Sequence, residues 1–482
     1  MRKLKSCRTL LVCFLYPIVA FSTASRAQIF KTVANFDSSN RDPRDMAFIQ
    51  GPDGSLYGTT EYGGSQYENG TVFKVARNGR LATLYTFCGV GDCIDGASPC
   101  GGLVQGADGD FYGVTNFGGR YASGTIFKIT AQGELTTIYS FCSQYGCPDG
   151  AGPCGPLVEG LDGNFYGTTV TGGSLPCDVG CGTVFKVTPT GNLTTLYRFC
   201  TQSDCLDGAT PNNLVLGTDG SFYGTTFTGG AYCEPSCGTV FEITEDGNFS
   251  TLNSFDGNDG FIVTFGLSQA TDGNFYGTSA FGGLYGDGNV FRVTPSGTIS
   301  TVHSFQISDG FEPYAGIIQG SDGNLYGTAD EGGNYCNEQF EGCGTIFEIT
   351  PNGELKTLYA FTGGYGYNPD NPLFQATNGV FYGSTVFGGS DGFGTVFSLS
   401  TGIAPFVRFV RGFGKIGQTG GILGQGFEGT TVVSINGISA PFKVLSDNYL
   451  IATVPPEATS GYVTVETPGG MLTSNVPFHV VE

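Results

Sequence analysis

The sequence predicts an all-β protein, a seven-bladed β-propeller with a small β-sandwich behind it. The first observation is a repeat. Asp-Gly-X-(Phe/Leu)-Tyr-Gly recurs with its tyrosine at Tyr57, Tyr112, Tyr166, Tyr223, Tyr276, Tyr326 and Tyr382, at spacings of 50 to 57 residues. Six copies keep Asp-Gly, and the seventh has Asn378-Gly379. A period near 50 built from short strands points to one blade per repeat. The second observation is four strand-like runs in each repeat. The third is a change of composition near residue 405, where the repeat stops.

Residues 1–27 read as an export signal. Arg2, Lys3, Lys5 and Arg8 precede an apolar run from Leu10 to Phe21, and Ser25-Arg26-Ala27 offers small residues at a cleavage site. The run is too short to span a bilayer, and no later segment is apolar enough to do so. An exported chain, extracellular, cell-surface or periplasmic, is therefore expected. Without the signal, 16 basic residues face 42 acidic ones, a formal net charge of −26. Such a chain repels nucleic acid and anionic lipid, and is compatible with divalent cations.

Residues 28–402 form the expected propeller. The third repeat shows the blade best. Leu157-Val158-Glu159-Gly160 is a short strand, Asp162-Gly163 a tight turn, and Asn164 to Thr169 a second strand. Gly172-Gly173 opens a loop, Gly182 to Val187 is the third strand, and Leu193 to Phe199 the fourth. Blades are buried on both faces, so a mixed apolar pattern is expected. The seventh repeat lacks a fourth strand. Ile29 to Phe36 has the form of one, so it is expected to complete the last blade and close the ring, which removes exposed sheet edges. A monomer is expected. Residues 403–482 contain β-rich stretches at Val432-Ser434, Phe442-Val444, Leu450-Val454, Val463-Val465 and Phe478-Val481, enough for a small sandwich.

The meander sorts the connections. Short turns follow strands one and three on one face; long, variable loops follow strands two and four on the other. Such loops on a rigid scaffold are where binding usually resides. Removal of the signal leaves 14 cysteines. Six close pairs stand out: Cys88/Cys93, Cys142/Cys147, Cys200/Cys205, Cys177/Cys181, Cys233/Cys237 and Cys336/Cys343. Cys100 and Cys154 remain, at the same place in adjacent repeats, and are expected to bridge two blades; the rival arrangement pairs Cys100 with Cys88 or Cys93 inside its own loop. Two histidines and no Cys-x-x-Cys favour disulfides over zinc.

The repeat resembles the GloVer (Gloeo/Verruco) tandem repeat of bacterial exported proteins. Asp162-Gly163-Asn164-Phe165-Tyr166-Gly167-Thr168-Thr169 and Gly182-Thr183-Val184-Phe185-Lys186-Val187-Thr188-Pro189 carry the likeness. It implies a surface or secreted protein without an established activity. The tail resembles an IPT/TIG domain, an immunoglobulin-like sandwich. Gly424-Gln425-Gly426-Phe427, Val432 to Gly437, Val454-Pro455-Pro456 and Thr467-Pro468-Gly469-Gly470 follow in that family's order.

A distant likeness to propeller lyases would require a histidine base and a metal near the axis. His303 lies in an outer strand and His479 in the tail, so neither fits. Gly388-Gly389-Ser390-Asp391-Gly392 matches Gly-x-Ser-x-Gly but lies between two strands, away from any strand-to-helix turn. No catalytic residue is assigned. Binding candidates are Asp95, Asp149, Asp207, Asp259 and Asp309, which share a slot before the first strand, with Asn40 and Tyr365 in that slot elsewhere. These positions are expected to ring the axis, where carboxylates suit Ca²⁺ or sugar hydroxyls. The alternative is that each Asp-Gly shapes its own turn. Tyr145, Tyr232, Tyr285, Tyr335 and Tyr365 are loop aromatics. The motif tyrosines sit mid-strand, where packing between blades is expected. The expected function is non-catalytic binding or adhesion, with a glycan or another surface protein as partner and no cofactor unless Ca²⁺ binds. The alternative is an extracellular polysaccharide lyase or hydrolase.

Overall fold

Seven antiparallel sheets follow one another along residues 29–400, each a meander of neighbouring strands. The computed structural model describes residues 28–44, 46–64, 68–89, 92–173, 180–232, 237–333 and 342–481. The expected signal at 1–27 lies outside them. Among the described residues no helix is long and apolar enough to cross a membrane.

The motif explains itself locally. In the third repeat the Asp162 carboxylate accepts the Asn164 N–H at 3.0 Å, and Gly163 takes a φ of +78° to turn the chain. The same carboxylate accepts the Tyr166 hydroxyl at 3.0 Å. The Tyr166 ring then stacks on Phe222 of the next repeat, with centroids 4.1 Å apart. Tyr57/Phe111, Tyr112/Phe165, Tyr223/Phe275 and Tyr326/Phe381 repeat that contact. The motif tyrosine is thus a strut between sheets, as its mid-strand position implies. Glycine must follow it, because a Cβ on Gly167 would lie 2.6 Å from the Phe185 ring of the third strand.

The seventh sheet contains Phe374–Gln375, Phe381–Thr385, Thr395–Ser400 and, as its outer strand, Ile29–Asn35. Lys31 lies opposite Ser398, and Thr32 opposite Phe397. Phe36 then donates its N–H to the Gly394 carbonyl at 3.0 Å. Phe87, Phe141, Phe199, Phe255, Phe305 and Phe361 make the same bond in the other repeats. The first and seventh sheets also share a core, in which Met46, Phe48 and Phe73 meet Phe374 and Val396.

Glutamines at the end of the first strands tie sheet to sheet. Gln269 accepts the Thr218 N–H at 2.9 Å, Gln319 that of Thr271 at 2.8 Å, and Gln375 that of Ser321 at 2.9 Å. Gln50 accepts the Thr377 N–H at 3.1 Å, which carries the same bond from the seventh sheet back to the first. Gln105 has no such donor, because the matching residue is Pro52, and its buried Oε1 is without a partner.

The tail forms two four-stranded antiparallel sheets around Val407, Phe427, Val433, Leu450 and Val465. The expected β-stretches are strands, and short ones at Arg408–Phe409, Thr419–Leu423, Ile438–Ser439 and Gly470–Thr473 join them. A parallel pair, Phe413–Lys415 with His479–Val481, adds a further edge. The tail sits against the short-turn ends of the sheets. Arg77 donates to Asn448 at 2.7 Å, and Arg411 donates to the Gly160 carbonyl at 2.9 Å.

Candidate functional site

In each repeat the chain enters its first strand through one residue of positive φ. These are Asp42, Ser98, Thr210, Ile262, Glu312 and Asn368, at 51° to 58°, with Gly152 at 61°. For a residue with a Cβ this costs about 1–2 kcal/mol. The carbonyl of that residue accepts a specific N–H: Glu61 onto Asp42, Ala280 onto Ile262, Asp330 onto Glu312 and Val386 onto Asn368. Two positions on stand Arg44, Cys100, Cys154, Asn212, Thr264, Tyr314 and Asp370.

These residues converge. Arg44, Thr264, Tyr314 and Asp370, from the first, fifth, sixth and seventh repeats, line one pocket of about 340 Å³ with Asp330, Asn368 and Phe387. Residues far apart along the chain, from its first repeat and its last three, therefore meet at one place. A second cavity, of about 220 Å³, gathers Ala47, Pro156, Leu214, Gly266, Ile317 and Pro372 from six repeats. Its walls are mostly apolar, with Asn213 and Ser268 among them. Cys100 and Cys154 join the second and third sheets, with Cα atoms 5.0 Å apart.

The pocket is acidic with one facing cation. The Asn368 amide donates to Asp330 Oδ2 at 2.9 Å, while Asp330 Oδ1 is buried without a partner. Burial pushes the Asp330 carboxyl up to about 7; Asn368 opposes this, Glu331 and Glu312 add to it, and Arg44 opposes it. Burial and the Glu312 carboxylate also raise the Tyr314 phenol. The Arg44 guanidinium lies 5.8 Å from the Phe387 ring and 3.1 Å from Asp42. Carboxylate oxygens of Glu312, Asp330 and Glu331 lie within 4.8 Å of one another, close enough to hold a hard cation together. Sequence reasoning missed this cluster. Its signal was the slot two residues before Gly-Gly, where Asp330 stands and the other repeats have Glu61, Asn116, Val170, Phe227, Ala280 and Val386.

The expected carboxylate ring lies elsewhere. Asp95 accepts the Tyr85 hydroxyl at 2.9 Å and the Cys88 N–H at 3.1 Å. Asp149 does so with Tyr139 and Cys142, and Asp207 with Tyr197 and Thr201. Asp309 meets His303 and the Gln306 N–H. Asp259 accepts the Asp256 N–H at 2.8 Å, and burial pushes it up to about 6. Tyr85, Tyr139, Tyr197 and His303 are on outer strands, so these carboxylates fasten loops to the rim and do not ring the axis. Asn40 accepts from Thr71 and Thr83 in the same slot.

The loops are stapled as expected at Cys88–Cys93, Cys142–Cys147 and Cys200–Cys205. Cys181, Cys237 and Cys343 are disulfide-bonded; Cys177, Cys233, Cys336 and Tyr335 lie outside the described residues. Cys181, Cys200 and Cys205 cluster, but their sulfurs are spent in disulfides, which overrules zinc there. Disulfides fit an exported protein. Tyr145, Tyr232, Tyr285 and Tyr365 are exposed on the loops. Ser390 donates to Asp391 in its loop, and His479 is in the tail, so neither joins the pocket.

A family model described as the Gloeobacter/Verrucomicrobia repeat matches residues 19–237 and 210–432. The chain belongs to that family. No curated protein matches it. Among solved structures, a fungal alcohol oxidase of the AA5 family in complex with copper is similar over 93% of this chain and 99% of its own, at 11% identity and a TM-score of 0.51. The extracellular domain of a hybrid two-component system of B. thetaiotaomicron is similar at 12% identity and a TM-score of 0.50, over 94% of this chain and 57% of its own. At these identities the likeness concerns the fold: many small antiparallel sheets in a propeller-like arrangement.

Proposed function

We propose that this repeat protein is an exported, non-catalytic binding protein that takes a glycan at the loop-face pocket. It acts outside the cell as a closed seven-bladed propeller of residues 28–402, followed by an immunoglobulin-like tail of the IPT/TIG kind. The carrying observation is the 340 Å³ pocket where the first, fifth, sixth and seventh repeats converge. It combines carboxylate, amide, guanidinium and phenol groups with aromatic faces, the mixture that recognises a polyol ring and its hydroxyls. Glu312, Asp330 and Glu331 are the groups that would hold Ca²⁺. Tyr145, Tyr232 and Tyr365 extend the surface outward, and Asp95, Asp149, Asp207, Asp259 and Asp309 shape the loops that carry it.

A glycan array probed with the mature chain, with and without Ca²⁺, tests the reading. Bound glycans that are lost on Arg44→Ala and Asp370→Ala support it. Release of shortened product would favour the second reading, a polysaccharide lyase or hydrolase. The observation behind that alternative is the Asp330 carboxyl, which titrates near 7 and so suits general acid–base work.

A further inference from the structure

A larger cavity, of about 530 Å³, opens on the opposite side of the ring, at the seam of the first sheet, the seventh sheet and the tail. Lys31 and Arg77 are in its wall, and no aspartate or glutamate is. That is unusual in a chain with twice as many acidic as basic residues.

The repeat shows how the cavity arose. The motif aspartate is present in six repeats, as Asp53, Asp108, Asp162, Asp219, Asp272 and Asp322. The third-strand residue paired with the motif tyrosine is charged in the same six: Lys74, Lys128, Lys186, Glu242, Arg292 and Glu348. In the first three repeats the two slots form an ion pair. Only the seventh repeat has a neutral residue at both, Asn378 and Ser398. A long charged side chain is replaced by a short hydroxyl, and the local carboxylate is lost. Both Asn378 and Ser398 line the cavity.

Lys31 lies directly opposite Ser398 on the N-terminal strand, and no ion pair holds it among the described residues. Arg77 spends one donor on Asn448 of the tail, and a guanidinium has five. Gln50, Asn78 and Gln425 add neutral polar groups, and the Tyr382 ring adds an aromatic edge. The wall Thr32 Oγ1 is buried without a partner. The volume suits a ligand of about two sugar rings.

The geometry points to a second binding site, for a carboxylate-bearing sugar whose acid group lies between Lys31 and Arg77. Its hydroxyls meet the amides and its ring lies near Tyr382. The site is independent of the loop-face pocket. It exists only when the N-terminal strand is in the seventh sheet and the tail is docked, so three parts of the chain build it.

Calorimetry on the mature chain tests this with three probes: a galacturonic acid disaccharide, the neutral galactose disaccharide and inorganic phosphate. The acid disaccharide is expected to bind, the neutral one not. Lys31→Met should weaken binding about tenfold, the worth of one charge-assisted contact. Ser398→Asp should abolish it by neutralising Lys31. Thermal melts establish that each variant is folded; if Ser398→Asp is not, Lys31→Met alone decides. No binding of the acid disaccharide at millimolar concentration overturns the proposal. So does unchanged affinity in a folded Lys31→Met, or phosphate binding as tightly as the sugar acid.

Discussion

At the residue scale, one missing proton tests the sheet-to-sheet bonds. Four glutamines accept an N–H from the neighbouring sheet, while Gln105 faces Pro52 and is left with a buried acceptor. Pro52→Thr supplies the donor. An unsatisfied buried acceptor costs about 1–3 kcal/mol, and losing a proline's restraint on the unfolded chain costs about 0.4–1 kcal/mol. The variant should therefore be about 1 kcal/mol more stable in urea unfolding, and the gain should vanish in combination with Gln105→Ala. Asp330 gives a pH signature. Its folded value of about 7 lies above the ordinary 3.8, so the folded state keeps a proton that the unfolded state releases between those limits. Stability from this group is whole below pH 4 and declines as pH rises to 7. Asp330→Asn removes the decline. It should melt with the parent at pH 4 and above it at pH 8, by a few kcal/mol at most given 1.36 kcal/mol per unit. Equal melting at both pH values would deny that Asp330 is held protonated.

At the element scale, the outer strand Ile29–Asn35 has the greatest leverage. It supplies the fourth strand of the seventh sheet, places Phe30 between Tyr359 and Phe397, and brings Phe36 to the first sheet's core. Deleting residues 28–37 leaves Thr395–Ser400 as an exposed edge of the seventh sheet. The truncated chain should melt at least 10 °C lower and aggregate on heating. Unchanged melting would show that the ring does not depend on this strand. This element was legible in advance because the repeat gave a template: a strand ending in Phe was missing at one end of the array and present at the other. The Asp-Gly turns and stacked tyrosines were legible for the same reason. The axial pocket was not. Its residues come from four repeats and follow positions of positive φ, which Thr210, Ile262 and Glu312 do not advertise. The expected Asp ring failed because its slot is set beside the outer strands, a radial fact that spacing along the chain does not carry. In the tail, Thr419–Leu423 begins Thr-Gly-Gly, and glycines do not signal a strand.

At the scale of the whole molecule, the question is what fastens the tail to the ring. Five repeats have glutamine at the end of the first strand: Gln50, Gln105, Gln269, Gln319 and Gln375. The third has Glu159, and it is paired with Arg411 of the tail at 3.5 Å, with side chains only 9% and 12% exposed. Burial raises the Glu159 carboxyl, and Arg411 draws it back down. The buried charge is tolerable only while Arg411 faces it. Arg411→Met keeps much of the stem but leaves Glu159 buried alone, a change that typically costs about 3–5 kcal/mol. The cost falls on docking if the tail lifts to let water reach Glu159. The linker at residues 401–406 should then become sensitive to protease and exchange its amides faster, while the stacked tyrosine sheets stay protected. Glu159→Gln supplies the amide that five other repeats have and removes the buried charge. The double variant should therefore regain both the parent's thermal stability and its protected linker, because no uncompensated charge remains to draw water under the tail. If Arg411→Met leaves the linker as resistant as in the parent, the Asn448–Arg77 and Phe406–Thr377 contacts hold the tail without Arg411.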